Sequence, residues 1–204
     1  MTSTIYLASR SPRRRELLAQ IGVRFEMLLF REGARRDGDT DEAVIGGETP
    51  DDYVMRVTRQ KANAAWERVL MRRGLRRMPV LAADTTVALA NEIFGKPADR
   101  NDAIRMLTAL AGTQHRVYTA VAVAMEGRVE TALNLSLVTF SPVSAERIEA
   151  YVDSGEPFDK AGAYAIQGRA GAFVERLEGS YTGVMGLPLF ETARLLRQFG
   201  IAAP

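Results

Sequence analysis

The sequence predicts an α/β protein built on a mixed β-sheet. Three observations carry that reading. Short apolar strand patterns alternate with helical patterns along the chain, the signature of helices packed on a sheet. Two segments read as hairpins, so part of the sheet is antiparallel. With 204 residues, 47% hydrophobic and 25% charged, the composition is that of a globular protein, and the length suits one large domain or two small lobes with a real core.

The elements follow in order. Thr4 to Ala8 reads as a short buried strand, broken by Ser9 to Pro12. Pro12 to Gln20 is a helix, with Ser11 as its cap, proline at the first position and Gly22 just past its end. Arg24 to Phe30 alternates loosely, as a second strand would. Arg31 to Glu48 is polar and glycine-rich, too long for a mere connector and therefore a candidate functional loop. A long helix runs from Pro50 to about Arg73. Val80 to Ala83 is a buried strand, and Thr85 to Phe94 a hairpin turning near Ala90-Asn91. Asp99 caps a helix to Leu110. His115 to Met125 and Arg128 to Phe140 make a long hairpin around Glu126-Gly127. Ser144 to Val152 is helical, Ala172 to Leu177 a strand, and Pro188 to Phe199 the closing helix.

Composition excludes several chemistries. The chain has no cysteine and one histidine, which removes thiol nucleophiles, disulfides and His- or Cys-rich metal sites. The net charge of +2 has no dense basic tract behind it, so nucleic acid is not an expected partner. The longest apolar run, Tyr118 to Met125, is far too short to span a membrane. No secretory leader is expected at the start, and a cytoplasmic location follows as the expectation. Walker A, GxGxxG and GxSxG patterns are all missing. Of the 27 basic residues only Lys61, Lys96 and Lys160 are lysine. In a chain that writes arginine almost everywhere, each marks a position where a compact ammonium is a candidate requirement.

Local rules break at a few places. Arg13, Arg14 and Arg15 fill the first turn of a helix, where cations oppose the helix dipole. The helix at Thr49-Pro50-Asp51-Asp52 has the same start but obeys the rule. The contrast points to an anion near Ser9, Ser11 and the arginines, a phosphate above all. A solvated basic turn is the plainer alternative. Lys61 falls on the apolar stripe of its helix, aimed either at an anion or, snorkelling, at solvent. Asp84 ends one apolar run and precedes another, at the end of a central strand, where α/β proteins place chemistry. If the hairpin turns at Ala90-Asn91, Thr85 faces Lys96, which brings Asp84 close to Gly95-Lys96-Pro97 and makes a structural ion pair the competing reading. Glu42 reads on composition as an exposed loop acid. Gln167 carries an amide able to read a base edge, as few loop glutamines do. His115 reads as a structural hydrogen-bonder.

Taken together, Leu7-Ala8-Ser9-Arg10-Ser11-Pro12-Arg13-Arg14-Arg15-Glu16-Leu17-Leu18, Asp41-Glu42, Lys61-Ala62, Ala83-Asp84-Thr85, Gly95-Lys96-Pro97, Gly155-Glu156-Pro157, Asp159 to Tyr164, Ile166-Gln167-Gly168 and Gly186-Leu187-Pro188-Leu189 resemble the motifs of the Maf family of nucleotide pyrophosphatases. All three lysines fall inside these motifs. The resemblance implies one such domain over residues 1–204, with two lobes around a deep cleft and an extended mixed sheet like that of the inosine-triphosphate pyrophosphatases. It implies hydrolysis of nucleoside triphosphates to monophosphate and pyrophosphate with a divalent metal, Mg or Mn, as a house-cleaning activity on non-canonical or excess nucleotides. Asp84 would accept the proton, Glu42 would help hold metal or water, and Asp84 and Glu42 would be the metal ligands. Ser9, Arg13, Arg14, Lys61 and Lys96 would bind phosphates. Arg13, Thr85 and Gln167 match the positions that mark the dTTP/UTP branch, whereas the 7-methyl-GTP branch resembles Ser-Pro-Trp, Asp-Gln and Ser-Glu-Gly. The expected partners are a nucleoside triphosphate and, as the candidate assembly, a second copy in a homodimer. The competing readings are a nucleotide-binding regulator of cell division without hydrolysis and a purine, inosine-type pyrophosphatase.

Overall fold

The computed structural model describes residues 4–28 and 43–204. Seven strands form one mixed sheet. Along it run β2 (Arg24–Met27), β1 (Thr4–Leu7), β3 (Val80–Leu89), β5 (Gln114–Met125), β6 (Arg128–Phe140) and β7 (Val174–Glu178), while β4 (Glu92–Phe94) pairs with the far end of β3. β1 is parallel to β2 and β3, and every other pairing is antiparallel. The α/β class with a mixed sheet is therefore as the sequence predicts.

Side chains alternate across a strand, and here the alternation sorts the core into layers. On one face, Val80, Ala82, Ala122 and Ala124 pack with Ala62, Ala65, Trp66 and Val69 of α2 (Pro50–Met71). On the other, Leu81, Ala83, Val121 and Val123 pack with Leu17 and Leu18 of α1 (Pro12–Gln20) and with Leu195 and Leu196 near the C-terminus. Farther along that face, Val87 and Val117 meet α3 (Arg100–Leu110) and α4 (Ala145–Asp153). α5 (Tyr181–Met185) and α6 (Leu189–Gln198) complete the set.

The two hairpins form where expected. Glu126 and Gly127 both take positive φ at the β5–β6 turn, the backbone that matches strand twist in a two-residue loop. The turn at Ala90-Asn91 sets Val87 opposite Phe94 and Leu89 opposite Glu92. That register would set Thr85 opposite Lys96, but pairing stops at Phe94. The chain then turns away, and the Gly95 carbonyl accepts from the Gly162 N–H at 3.0 Å. Two further differences are small. β3 runs through Asp84 without a break, and the strand expected from Ala172 begins at Val174 after a 3₁₀ turn at Arg169–Phe173. Short α5, capped by the Ser180 hydroxyl and closed by Gly186 at φ 113°, was not foreseen.

One irregularity positions the site. β1 reaches β3 only at Val80 and Leu81, with a last bond from the Ala8 N–H to the Leu81 carbonyl. β4 joins only from Val87. Between them that edge of β3 has no strand partner among the described residues. Asp84 and Thr85 lie in this gap, backed on the other side by Ala120 and Thr119 of β5. Ser9 to Ser11 and the start of α1 follow directly on β1.

Candidate active site

Adjacent strand residues face opposite sides of a sheet, so Asp84 and Thr85 serve different layers. Asp84 lies on the α2 face. Its Oδ1 accepts from the Lys61 ammonium at 2.7 Å, and both side chains are mostly buried. Lys61 sits beside the fully buried Ala62, at the rim of the packed stripe of α2. The lysine partner of Asp84 is thus Lys61, twenty-three positions away in sequence, and not Lys96. Lys96 is exposed and makes no hydrogen bond or ion pair among the described residues. β4 ends at Phe94, so the ladder does not carry Lys96 to a place opposite Thr85.

Thr85 lies on the α1 face and meets Arg14. That guanidinium donates through Nε to the Gly186 carbonyl at 2.7 Å, through one terminal nitrogen to the Ser9 hydroxyl at 3.3 Å, and through the other to Thr85 Oγ1 at 3.3 Å. Burial lowers the pKa of Arg14, and the charge of Asp84 opposes that shift. An arginine remains a cation under such conditions. The basic first turn of α1 therefore has an explanation inside the protein: Arg14 is held by neutral oxygens and faces the field of Asp84. Arg13 donates to the Met185 carbonyl at 3.3 Å, and burial lowers its pKa too. Ser9 also accepts from the Ser11 N–H at 3.2 Å, whereas Ser11 itself makes no side-chain cap.

A second loop lies near Arg13, whose charge acts on both Tyr151 and Lys160. Lys160 donates to the carbonyls of Glu156 and Phe158, which folds the Gly155–Lys160 segment on itself. The Glu156 carboxylate accepts from the Tyr151 hydroxyl and from the Arg169 N–H, each at 3.1 Å. It lies so close to Gly168 that a Cβ there would fall 2.2 Å from Glu156 Oε1. A side chain at Gly168 would push the Glu156 carboxylate out of these bonds, and through the Arg169 N–H Glu156 ties down the turn bearing Gln167. Gln167 itself is exposed, with no internal hydrogen bond among the described residues.

The resulting constellation is a mostly buried carboxylate paired with an ammonium and felt by a guanidinium, beside a gap in the sheet. Residues 4–199 match the family described as Maf-like protein. The chain belongs to this family. Its Maf relatives include a dTTP/UTP pyrophosphatase from Cupriavidus metallidurans, 59% identical over 98% of this chain and 99% of the relative. One from Nitrosomonas europaea is 54% identical over 97% and 95%, and one from Cupriavidus pinatubonensis 59% over 97% and 98%. Among solved structures, the Ham1 protein of Staphylococcus aureus aligns with 96% of this chain and 97% of its own, at TM-score 0.48 and 14% identity.

Of the Maf motif residues singled out from sequence, the structure brings Ser9, Arg14, Lys61, Asp84 and Thr85 together. Glu42 lies outside the described residues. Sequence reading missed Thr119, which is closed to solvent and whose hydroxyl is 3.0 Å from that of Thr85. The available signal was a hydroxyl standing alone inside the apolar run Tyr118 to Met125.

Proposed function

We propose that this chain hydrolyses dTTP and UTP to the nucleoside monophosphate and pyrophosphate. The observation that supports it best is the Asp84 carboxylate bonded to Lys61 with the Arg14 guanidinium within its field, in a chain more than half identical to proteins named for that activity. In this reading the triphosphate lies along the open edge of β3, with Arg13, Arg14, Ser9, Lys61 and Lys96 as its phosphate contacts. Water attacks the α-phosphorus in line with the α–β bridging oxygen. Asp84 takes the proton through Oδ2, which has no hydrogen-bond partner among the described residues. Lys61 fixes the orientation of that carboxylate through Oδ1. Cations in a water-poor site then stabilise charge that grows on the leaving pyrophosphate.

The donor set also fits a divalent cation of the Mg or Mn type. Asp84 offers one carboxylate with a free oxygen, and the described residues contain no cluster of three His, Cys, Asp or Glu. Mg²⁺ is commonly held in this way, by one or two carboxylates and the phosphates of its substrate. Asp84, with Glu42, would hold it, and it would supply charge neutralisation at the phosphates. Gln167 is the base reader in this proposal. Its amide can donate to a pyrimidine carbonyl and accept from the ring N–H. The enzyme would be cytoplasmic, where nucleoside triphosphates are made and spent. No described helix is long and apolar enough to cross a membrane.

The test is a panel of dTTP, UTP, 7-methyl-GTP, ITP and the common nucleotides with pyrophosphate release as readout. Preference for dTTP and UTP supports the proposal, preference for ITP assigns the inosine-type activity instead, and no release from any nucleotide refutes hydrolysis.

A further inference from the structure

Thr119 has no part in the chemistry described so far, yet it is the only polar side chain in the stretch of β5 from Val117 to Val123 that faces the α1 layer. It is fully buried. Its hydroxyl donates to the Gly183 carbonyl at 2.8 Å and lies 3.0 Å from the hydroxyl of Thr85. A threonine hydroxyl has one proton and two lone pairs. That proton faces two acceptors, the Gly183 carbonyl and Thr85 Oγ1. Thr85 Oγ1 also accepts from a terminal nitrogen of Arg14 at 3.3 Å. Arg14 and Thr119 therefore meet at one oxygen, and Thr119 fixes where that oxygen stands. The Gly186 carbonyl, at the end of the same short helix, takes Arg14 Nε at 2.7 Å.

We infer that Thr119 is a positioning residue for triphosphate binding: through Thr85 it locks the guanidinium of Arg14 in the orientation that presents its remaining N–H groups to phosphate oxygens. Thr85 then acts through Arg14, because its oxygen already accepts from both Arg14 and Thr119. A guanidinium held by neutral oxygens keeps its full charge for a ligand, and its fixed plane suits phosphate geometry. The inference rests on the proposed role of Arg14 in binding phosphates.

The test measures binding of inorganic tripolyphosphate by calorimetry to the whole protein, together with dTTP turnover. Thr119→Val keeps the shape and removes the hydroxyl. The Gly183 carbonyl retains the Gly186 N–H at 2.9 Å, so little is left unpaired. Loss of one hydrogen bond of this kind is worth about fivefold. Thr119→Val is expected to weaken tripolyphosphate about 5- to 10-fold and to raise KM for dTTP more than it lowers kcat. Thr119→Ser, which restores the hydroxyl, should bind within about twofold of wild type. Thr85→Val cuts the same chain from the half-exposed side and should reproduce the loss if the first variant folds poorly. In an Arg14→Ala background, Thr119→Val should have no further effect, since coupled residues are not additive. Unchanged tripolyphosphate affinity in both valine variants, or equal losses with and without Arg14, overturns the inference. If dTTP is not turned over by wild type while the tripolyphosphate pattern holds, the pyrophosphatase reading fails and the inference stands.

Discussion

Thr119 and His115 stand four residues apart on the same face of β5, and both are closed to solvent. Their surroundings have opposite consequences. The Thr119 hydroxyl leads through Thr85 to a cation beside the sheet gap. His115 sits edge-on to Phe140 and Tyr164, with Nε2 2.9 Å from the Tyr164 hydroxyl and Nδ1 unpartnered. Burial pushes its pKa down to about 4, so it is neutral near pH 7 and brings no charge to any ligand. Burial also lowers the pKa of Arg14, but from a much higher starting value and against the field of Asp84. Burial of a polar group therefore does not by itself mark a site. What decides is whether its partners lead to a retained charge.

The sharpest way to break this contrast is at the charge itself. Asp84→Asn keeps the shape and removes the base, and general-base loss typically costs about 10²- to 10⁴-fold in rate. Pyrophosphate release should fall by that much, while the melting temperature drops by only about 2–4 °C as the pair with Lys61 is lost. Near wild-type turnover would remove Asp84 from the mechanism.

The aromatic side of the comparison is tested by pH. His115 is depressed from 6.5 to about 4 in the folded state, so below pH 6.5 the unfolded chain binds the proton first. Stability contributed by neutral His115 is present above pH 6.5 and is lost as pH falls toward 4, by about 1.4 kcal/mol per unit and roughly 3 kcal/mol in all. Urea unfolding of wild type and His115→Gln across that window should diverge by this slope, and parallel curves would refute it.

A smaller effect is expected at the base. Gln167→Glu should reduce kcat/KM for dTTP and UTP relative to 7-methyl-GTP by about tenfold, since a mismatched buried hydrogen bond costs about 1–3 kcal/mol. Equal losses on all three nucleotides would mean that Gln167 supports its turn rather than reads a base.

The smallest effect concerns Lys61. If it were an unpartnered cation awaiting an anion, removing it would leave stability unchanged or raise it. Paired to Asp84 at 2.7 Å, it should instead stabilise, and Lys61→Met should cost about 1 kcal/mol, the usual range for a pair that keeps some contact with solvent. A higher melting temperature would show the pair to be frustrated.

What could be read from sequence was local. Ser11-Pro12 and Gly22 bracket α1 at the residues observed, and the Ala90-Asn91 turn sets the β3–β4 register. Asp84 was legible as a carboxylate between two apolar runs. Its partner was not, because periodicity places a residue on a helix face without saying what crosses from the sheet. The expected pairing of Thr85 with Lys96 does not form, for the related reason that a register says nothing about where pairing stops. Thr85 was legible as a motif residue, but its hydrogen bonds to Arg14 and Thr119 join three elements that only the folded sheet brings together. Five-residue α5, which with its closing Gly186 supplies acceptors to Arg13, Arg14 and Thr119, is too short to show a helical period.

The gap in β3 also has a consequence for assembly in time. The antiparallel strands β3, β5 and β6 are near neighbours in the chain, whereas Tyr6 must find Val80 across a long stretch of chain that holds α1, β2 and α2. Non-local pairings form slowly because chain entropy is lost before contacts repay it. The Asp84 half of the site therefore belongs to the part that forms early, and the Arg14 half docks late. In refolding, secondary-structure signal should recover ahead of tripolyphosphate binding, and the amides of β1 should exchange with solvent before those of β5. The gap beside Asp84 is also the seam along which the molecule is expected to be put together.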